Sequence, residues 1–121
     1  MNKFRFLNWK VYKDSKSFFR QIILLVKEFP KEYRFEFISQ LIRSSLSIVL
    51  NIAEGSGKNS DKELNRYISI AMGSVNETLA ILDVLRDCQF LTEAQFNNLQ
   101  QQLDQIDSQL GGFKKQIRQR S

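Results

Sequence analysis

Two long runs of apolar residues at alternating spacings of three and four constrain this chain more than anything else in it. The first is Leu64, Tyr67, Ala71, Ser74, Thr78, Ile81, Leu85 and Cys88. The second is Phe96, Leu99, Leu103, Ile106, Leu110, Phe113 and Ile117. A three-four step held over so many turns keeps one stripe facing a neighbour and requires left-handed, coiled-coil-like helix packing. Each run is preceded by a capping box, Ser60-Asp-Lys-Glu63 and Thr92-Glu-Ala-Gln95. There a hydroxyl accepts from the third helical amide and the later side chain reaches back. Upstream, Phe18, Ile22, Leu25 and Phe29 form one stripe, and Ile38, Leu41, Ser45, Ile48 and Ile52 another. Pro30 stops the first helix, because proline disfavours helical geometry in the residue before it. Gly55 suits a left-handed stop for the second. Helices are therefore predicted over about 8–29, 34–54, 61–89 and 93–118, with Gly111-Gly112 expected to kink or fray the last.

No strand-like alternation competes with these seams. Only 1 Pro and 5 Gly in 121 residues leave few turns for an all-β fold. Short connections make successive helices antiparallel neighbours. The predicted fold is all-α, a single antiparallel up-down-up-down four-helix bundle over 1–121.

The absence of His excludes histidine triads, the usual zinc-enzyme sites and the Glu-x-x-His di-iron motif. The single Cys, Cys88, excludes disulfide frameworks and cysteine-rich metal sites. No cofactor or metal is expected. The opening Met-Asn-Lys-Phe-Arg-Phe-Leu has no long apolar run and no small-residue cleavage site, so a signal peptide is not expected there. The longest apolar run, Ile22 to Val26, falls far short of the roughly 20 residues that span a bilayer. A cytoplasmic protein without a membrane partner is the expectation.

The net charge of +5 is unevenly placed: residues 1–34 hold nine Lys/Arg against three Asp/Glu, and all four cations of residues 93–121 lie at or beyond Lys114. In an up-down-up-down bundle, helices one and three begin where helices two and four end. Lys3, Arg5, Lys10, Lys13, Lys58, Lys114, Lys115, Arg118 and Arg120 are thereby brought to one basic pole, the candidate nucleic-acid-binding residues. Apolar residues beyond the seams, Phe19, Ile23, Leu24 and Val26 in the first helix, Phe35, Phe37, Ile42, Leu46, Val49 and Leu50 in the second, and Ile68, Ile70, Val75, Leu79, Leu82 and Val84 in the third, exceed what one bundle core needs. They predict a homo-oligomer.

The segment Asn51-Ile-Ala-Glu-Gly-Ser-Gly-Lys58 invites comparison with a phosphate-cradling loop. Lys58 is not in a Gly-Lys-Ser/Thr arrangement and no strand precedes it, so the comparison fails. A helix end, a glycine stop and a capped restart account for most of it. Asn51 and Glu54, on one face with Ser44 and Ser47, are candidates for a buried polar network. Ala71, Gly73 and Ser74 form a small patch expected to face Ser44–Ser47 in close helix packing. Arg43 is placed to pair with Glu77.

These residues carry a specific resemblance. Gln40-Leu-Ile-Arg-Ser-Ser-Leu-Ser-Ile-Val-Leu-Asn-Ile-Ala-Glu-Gly55, then Ser60-Asp-Lys-Glu63, then Ile70-Ala-Met-Gly-Ser-Val-Asn-Glu77, resemble the bacterial 23S rRNA intervening-sequence protein family of four-helix bundles. The resemblance covers nearly the whole chain. It implies ring-like homopentamers and similarity in fold to the accessory protein of diversity-generating retroelements. That protein is a basic pentamer that associates with a reverse transcriptase and nucleic acid. The resemblance carries structural or oligomer roles to Arg43, Asn51, Glu54, Gly55, Gly73, Ser74 and Glu77, and no catalytic residue. Where the family often has arginine, Lys58 keeps the charge without a bidentate contact.

The expected function is a non-enzymatic oligomer associated with nucleic acid, RNA above all, through the basic pole. The alternative is a scaffold holding a polymerase, such as a reverse transcriptase, or another protein. Catalysis is disfavoured: Asp83 and Asp87 stand one turn apart on a charged, solvated face.

Overall fold

The computed structural model describes residues 3–120, with every side chain among them except those of residues 33–35. Its helices are α1 (Lys10–Val26), α2 (Ser39–Ser56), α3 (Asp61–Asp87) and α4 (Glu93–Arg120). A single 3-10 turn, Arg5–Asn8, precedes α1, and a 3-10 turn and a π-helical stretch, Arg34–Ile38, lead into α2. Each helix packs on its sequence neighbours, and α1 closes the ring against α4. The architecture is the up-down bundle that the seams require.

Most of both long seams is buried, but Cys88 is exposed and Tyr67, Ile81 and Phe113 are half-buried. Leu64, Ala71, Thr78 and Leu85 line the core from α3, and Phe96, Leu99, Leu103, Ile106, Leu110 and Ile117 line it from α4. Phe18, Ile22, Leu41, Ile48 and Ile52 are fully enclosed. A stretch of α3 has a mean hydropathy of 1.4, high enough for a bilayer span. Ile68, Val75 and Leu82, expected on a surplus face of α3, are instead buried in the bundle core, because the stripe that faces it is broader than the three-four seam.

The caps explain where the helices start and stop. Glu63 N–H donates to Ser60 Oγ at 3.1 Å. In the second box both halves form: Gln95 N–H donates to Thr92 Oγ1 at 3.1 Å and Thr92 N–H to Gln95 Oε1 at 2.8 Å. α3 ends in a Schellman motif, with Phe90 N–H on the Leu85 carbonyl and Gln89 N–H on the Arg86 carbonyl, both at 2.9 Å. Gln89 takes the left-handed position with φ 65°.

Several boundaries differ from the expectation, among them the start of α2, at Ser39 rather than about 34 because Arg34–Ile38 is π-helical. α1 starts at Lys10 because Trp9 is extended and packs its ring on Phe113, 4.8 Å between centroids. It ends at Val26 because the turn before Pro30 tightens to i→i+3 bonds, from Glu28 N–H to Leu25 O and from Phe29 N–H to Val26 O. α2 continues through Gly55 to Ser56. No described glycine has positive φ, so Gly55 is not the left-handed stop. Gly57 closes the helix instead, at φ −90° and ψ 0°. α4 runs unbroken through Gly111-Gly112, since neither glycine faces a neighbour that would bend it.

One buried hydroxyl lacks a partner among the described residues. Ser15 is 1% exposed and its Oγ makes no hydrogen bond. An unsatisfied buried hydroxyl costs about 1 kcal/mol or more, and alanine is also the better helix former. Ser15→Ala is expected to raise stability by about 1 kcal/mol, read as an upward shift in urea midpoint with an unchanged slope.

Candidate functional site

The basic pole forms, with its charges partly spent on holding the bundle end together. Arg5 Nε donates to the Ser56 carbonyl at 3.2 Å, so a cation sits on the C-terminal carbonyls of α2, where the helix dipole favours it. The same guanidinium lies 5.2 Å from the Trp9 ring. Arg120 grips Asp61 with two bonds of 3.0 Å, tying the end of α4 to the start of α3. These bonds, and the Arg120 and Arg5 charges beyond them, hold the Asp61 carboxyl below the usual range and outweigh the small effect of burial. Lys114 donates to the Ser69 hydroxyl across the same helix pair. Lys58 lies 3.8 Å from Glu54 and over the Tyr67 ring.

Four of the predicted cations keep their charge uncommitted or displaced from that end. Lys3 is exposed, near the Phe4 ring. Lys115 is exposed and makes no ion pair among the described residues. Lys10 pairs with Asp14 at 2.6 Å. Burial pushes the Asp14 carboxyl up, but hydrogen bonds from Lys10 and Gln109 and the Lys10 charge more than offset it, leaving the group below its ordinary value. Lys13 stands on the flank of α1, beside Lys16 and Arg20. Arg118 lines a cleft with Asp61, Lys62, Asn65 and Lys114. Lys62, which the sequence reading did not include, belongs to the pole for this reason. Its position two residues past the Ser60 cap was the available signal.

The opposite faces have another character. The groove between α3 and α4, about 500 Å³, is lined by Asn76, Asn97, Gln100, Gln101, Asp104 and Asp107 among others. Asp83, paired with Arg86, faces the Glu93 side of the bundle, and the Asp83–Asp87 pair forms no site. Among the described residues no group of three His, Cys, Asp or Glu side chains is placed to hold a metal.

Six of the seven residues assigned structural or oligomer roles share one outer seam, where α2 crosses α3. Arg43 and Glu54 are exposed on α2, and Gly73 and Glu77 on α3. Between them a polar chain links the helices. Half-buried Asn51 donates to the Ser47 carbonyl at 2.8 Å and lies 3.0 Å from Ser47 Oγ, which is 2.8 Å from Ser74 Oγ. Deeper in, Thr78 Oγ1 donates to Ser44 Oγ at 2.9 Å. The network predicted at Asn51 therefore exists, but Glu54 is outside it, reaching only Lys58. Thr78 completes it, which its place in the apolar seam concealed. Arg43 and Glu77 form no ion pair; both point to solvent.

The two glycines exchange roles. A Cβ on Gly55 would lie 2.8 Å from Tyr67 Cβ and 3.3 Å from Leu64 Cδ1, whereas a Cβ on Gly73 would meet nothing within 4 Å. Gly55 is the point of close helix approach, and Gly73 opens a notch on the surface. The same two helices expose the apolar side chains Leu50, Ile70 and Val84, at 55%, 39% and 55% exposure.

No curated protein matches this chain. A solved structure from Bacteroides thetaiotaomicron, a protein with unknown function from the S23 ribosomal protein family, is similar at 26% identity and a TM-score of 0.81. The similarity covers 87% of this chain and 98% of that one. The family model described as 23S rRNA-intervening sequence protein matches residues 8–112. With that span taking in α1, α2, α3, the outer seam and most of α4, the chain belongs to the 23S rRNA-intervening sequence protein family.

Proposed function

We propose that this protein is a non-enzymatic, oligomeric helical bundle that associates with RNA through its basic pole. The observation that carries the reading is the gathering of Arg5, Lys58, Lys62, Lys114, Lys115, Arg118 and Arg120, from three separate chain segments, at one end of the bundle. Phosphate binding needs a dense cationic surface and no particular base-reading motif, and the chain has no recognition helix of a sequence-specific kind. The family's description, 23S rRNA-intervening sequence protein, names an rRNA, which supports the RNA half of the reading. Copies joined through the outer α2–α3 seam multiply the pole, and the resemblance to ring-forming proteins favours five.

The test is the salt dependence of RNA binding. Lys114→Glu with Lys115→Glu is expected to weaken binding to every RNA tried and to flatten the plot of log affinity against log salt by about 1.4, at roughly 0.7 per phosphate contact. Lys27→Glu with Lys31→Glu changes net charge equally at the other end of the bundle and is expected to do much less. Equal losses from the two pairs would reduce the pole to bulk charge. Failure of the wild type to bind RNA at low salt would end the reading. A salt-resistant complex with a protein alone would put the scaffold in its place, and the exposed apolar seam is the observation that favours that alternative.

A further inference from the structure

The solvent face of α1 carries a one-sided run of charge. Between the start of the helix and Lys27 it exposes Lys10, Lys13, Lys16, Arg20 and Lys27 and no fully exposed carboxylate. Asp14, the one acid in that stretch, is turned towards α4, where Gln109 donates to it at 2.9 Å. Lys13, Lys16 and Arg20 have no carboxylate partner among the described residues; Lys16 rests 5.3 Å from the Tyr12 ring. On α3, by contrast, Glu63 is paired with Arg66 and Asp83 with Arg86. Like charges three and four apart on one helix face destabilise it by a few tenths of a kcal/mol per pair. Asp14 offsets this only at Lys10, 2.6 Å away; for Lys13, Lys16 and Arg20 an external polyanion supplies the compensation.

The cations also frame a groove of about 440 Å³, lined by Lys13, Lys16, Ser17, Phe19, Arg20 and Ile23. Phe19 and Ile23 are half-buried and form its floor. At 1.5 Å rise per residue the three cations are spread over about 10 Å, a short stretch of one strand's phosphate backbone. A cationic rail beside a partly exposed aromatic edge is the combination that binds single-stranded nucleic acid, phosphates on the cations and a base on the ring. An acidic protein surface would use the cations and leave the aromatic floor without a role.

We propose that this flank of α1 is a single-strand track, in which Lys13, Lys16 and Arg20 hold phosphates of one strand and the half-buried Phe19 ring stacks a base. The inference rests on the nucleic-acid reading above and extends it from the pole to the side of the bundle, with which Lys10 makes it continuous.

The probes are a short labelled oligouridylate and a duplex RNA of the same length, titrated against the intact protein over a range of salt. The combined Lys13→Gln, Lys16→Gln and Arg20→Gln variant is expected to lower affinity for the single strand about tenfold or more and to flatten the salt slope by about 2, at roughly 0.7 per lost contact. All three side chains are exposed, so its melting temperature should match the wild type. The single change Arg20→Gln, flattening the slope by about 0.7, checks the result on a minimally altered chain. Phe19→Leu keeps the floor apolar and removes the ring; it is expected to cost roughly tenfold in single-strand affinity with the slope unchanged. Wild-type affinity and slope in the triple variant, alongside a loss in Lys114→Glu with Lys115→Glu, would overturn the track and leave the pole standing. Equal wild-type affinity for the duplex, or no effect of Phe19→Leu, would overturn the single-strand assignment. No binding of either RNA at low salt would overturn both the track and the reading beneath it.

Discussion

Gly55→Ala is expected to destabilise the bundle by about 1–3 kcal/mol, while Gly73→Ala stabilises it by about 1 kcal/mol. The two glycines both lie inside helices, so the intrinsic gain from replacing them is the same. What separates them is space. The added methyl at 55 falls 2.8 Å from Tyr67 Cβ, an atom fixed by the backbone of α3, so one helix must move to admit it. That movement would also strain the Ser47–Ser74 and Thr78–Ser44 bonds, which lie along the same helix crossing. At 73 the methyl enters open space. Urea or thermal unfolding of the two variants side by side measures the contrast. A neutral Gly55→Ala would show that α2 and α3 are less closely held than the structure has them. A destabilising Gly73→Ala would show that the notch is filled by another copy of the chain.

Leu50→Glu with Ile70→Glu is expected to abolish assembly and leave the fold intact. Both side chains are exposed in the single chain, so the charges cost the bundle little. In an oligomer joined through the outer seam they would be buried facing other apolar groups, which is strongly unfavourable for an unpaired charge. Light scattering should fall from about five chain masses, the count that the resemblance implies, to the 14.2 kDa of one, with helical circular dichroism retained. A wild-type monomer at micromolar concentration would remove the assembly itself. An intact oligomer in the double variant would place the interface elsewhere.

The helices, their order and their buried faces were legible because the evidence for them is local. A three-four apolar step and a capping hydroxyl act within a few residues, so Leu64 to Leu85, Phe96 to Ile117 and the boxes at Ser60 and Thr92 are read without knowing any partner. The glycines were harder. Glycine serves both a left-handed turn and a close helix crossing, and the chain does not say which until Tyr67 and Leu64 are seen against Gly55. Gln89, unmarked as a turn residue, takes the left-handed position because the Schellman bonds after α3 demand one there. Thr78 read as a seam residue, and only the approach of Ser44 shows that its hydroxyl is what matters.

The site divides along the same line. The sequence by itself determined that basic residues from separate segments meet at one end of the bundle, because the number and direction of the helices decide which termini are neighbours. Only the tertiary structure decided how those charges are spent: Arg120 on Asp61, Arg5 on the Ser56 carbonyl, Lys114 on the Ser69 hydroxyl, with Arg43 and Glu77 left apart. Pairing requires two side chains to agree in axial register and in rotation about their helices. Those quantities are set by how the whole core packs, through contacts between residues far apart in the chain, and no local pattern encodes them.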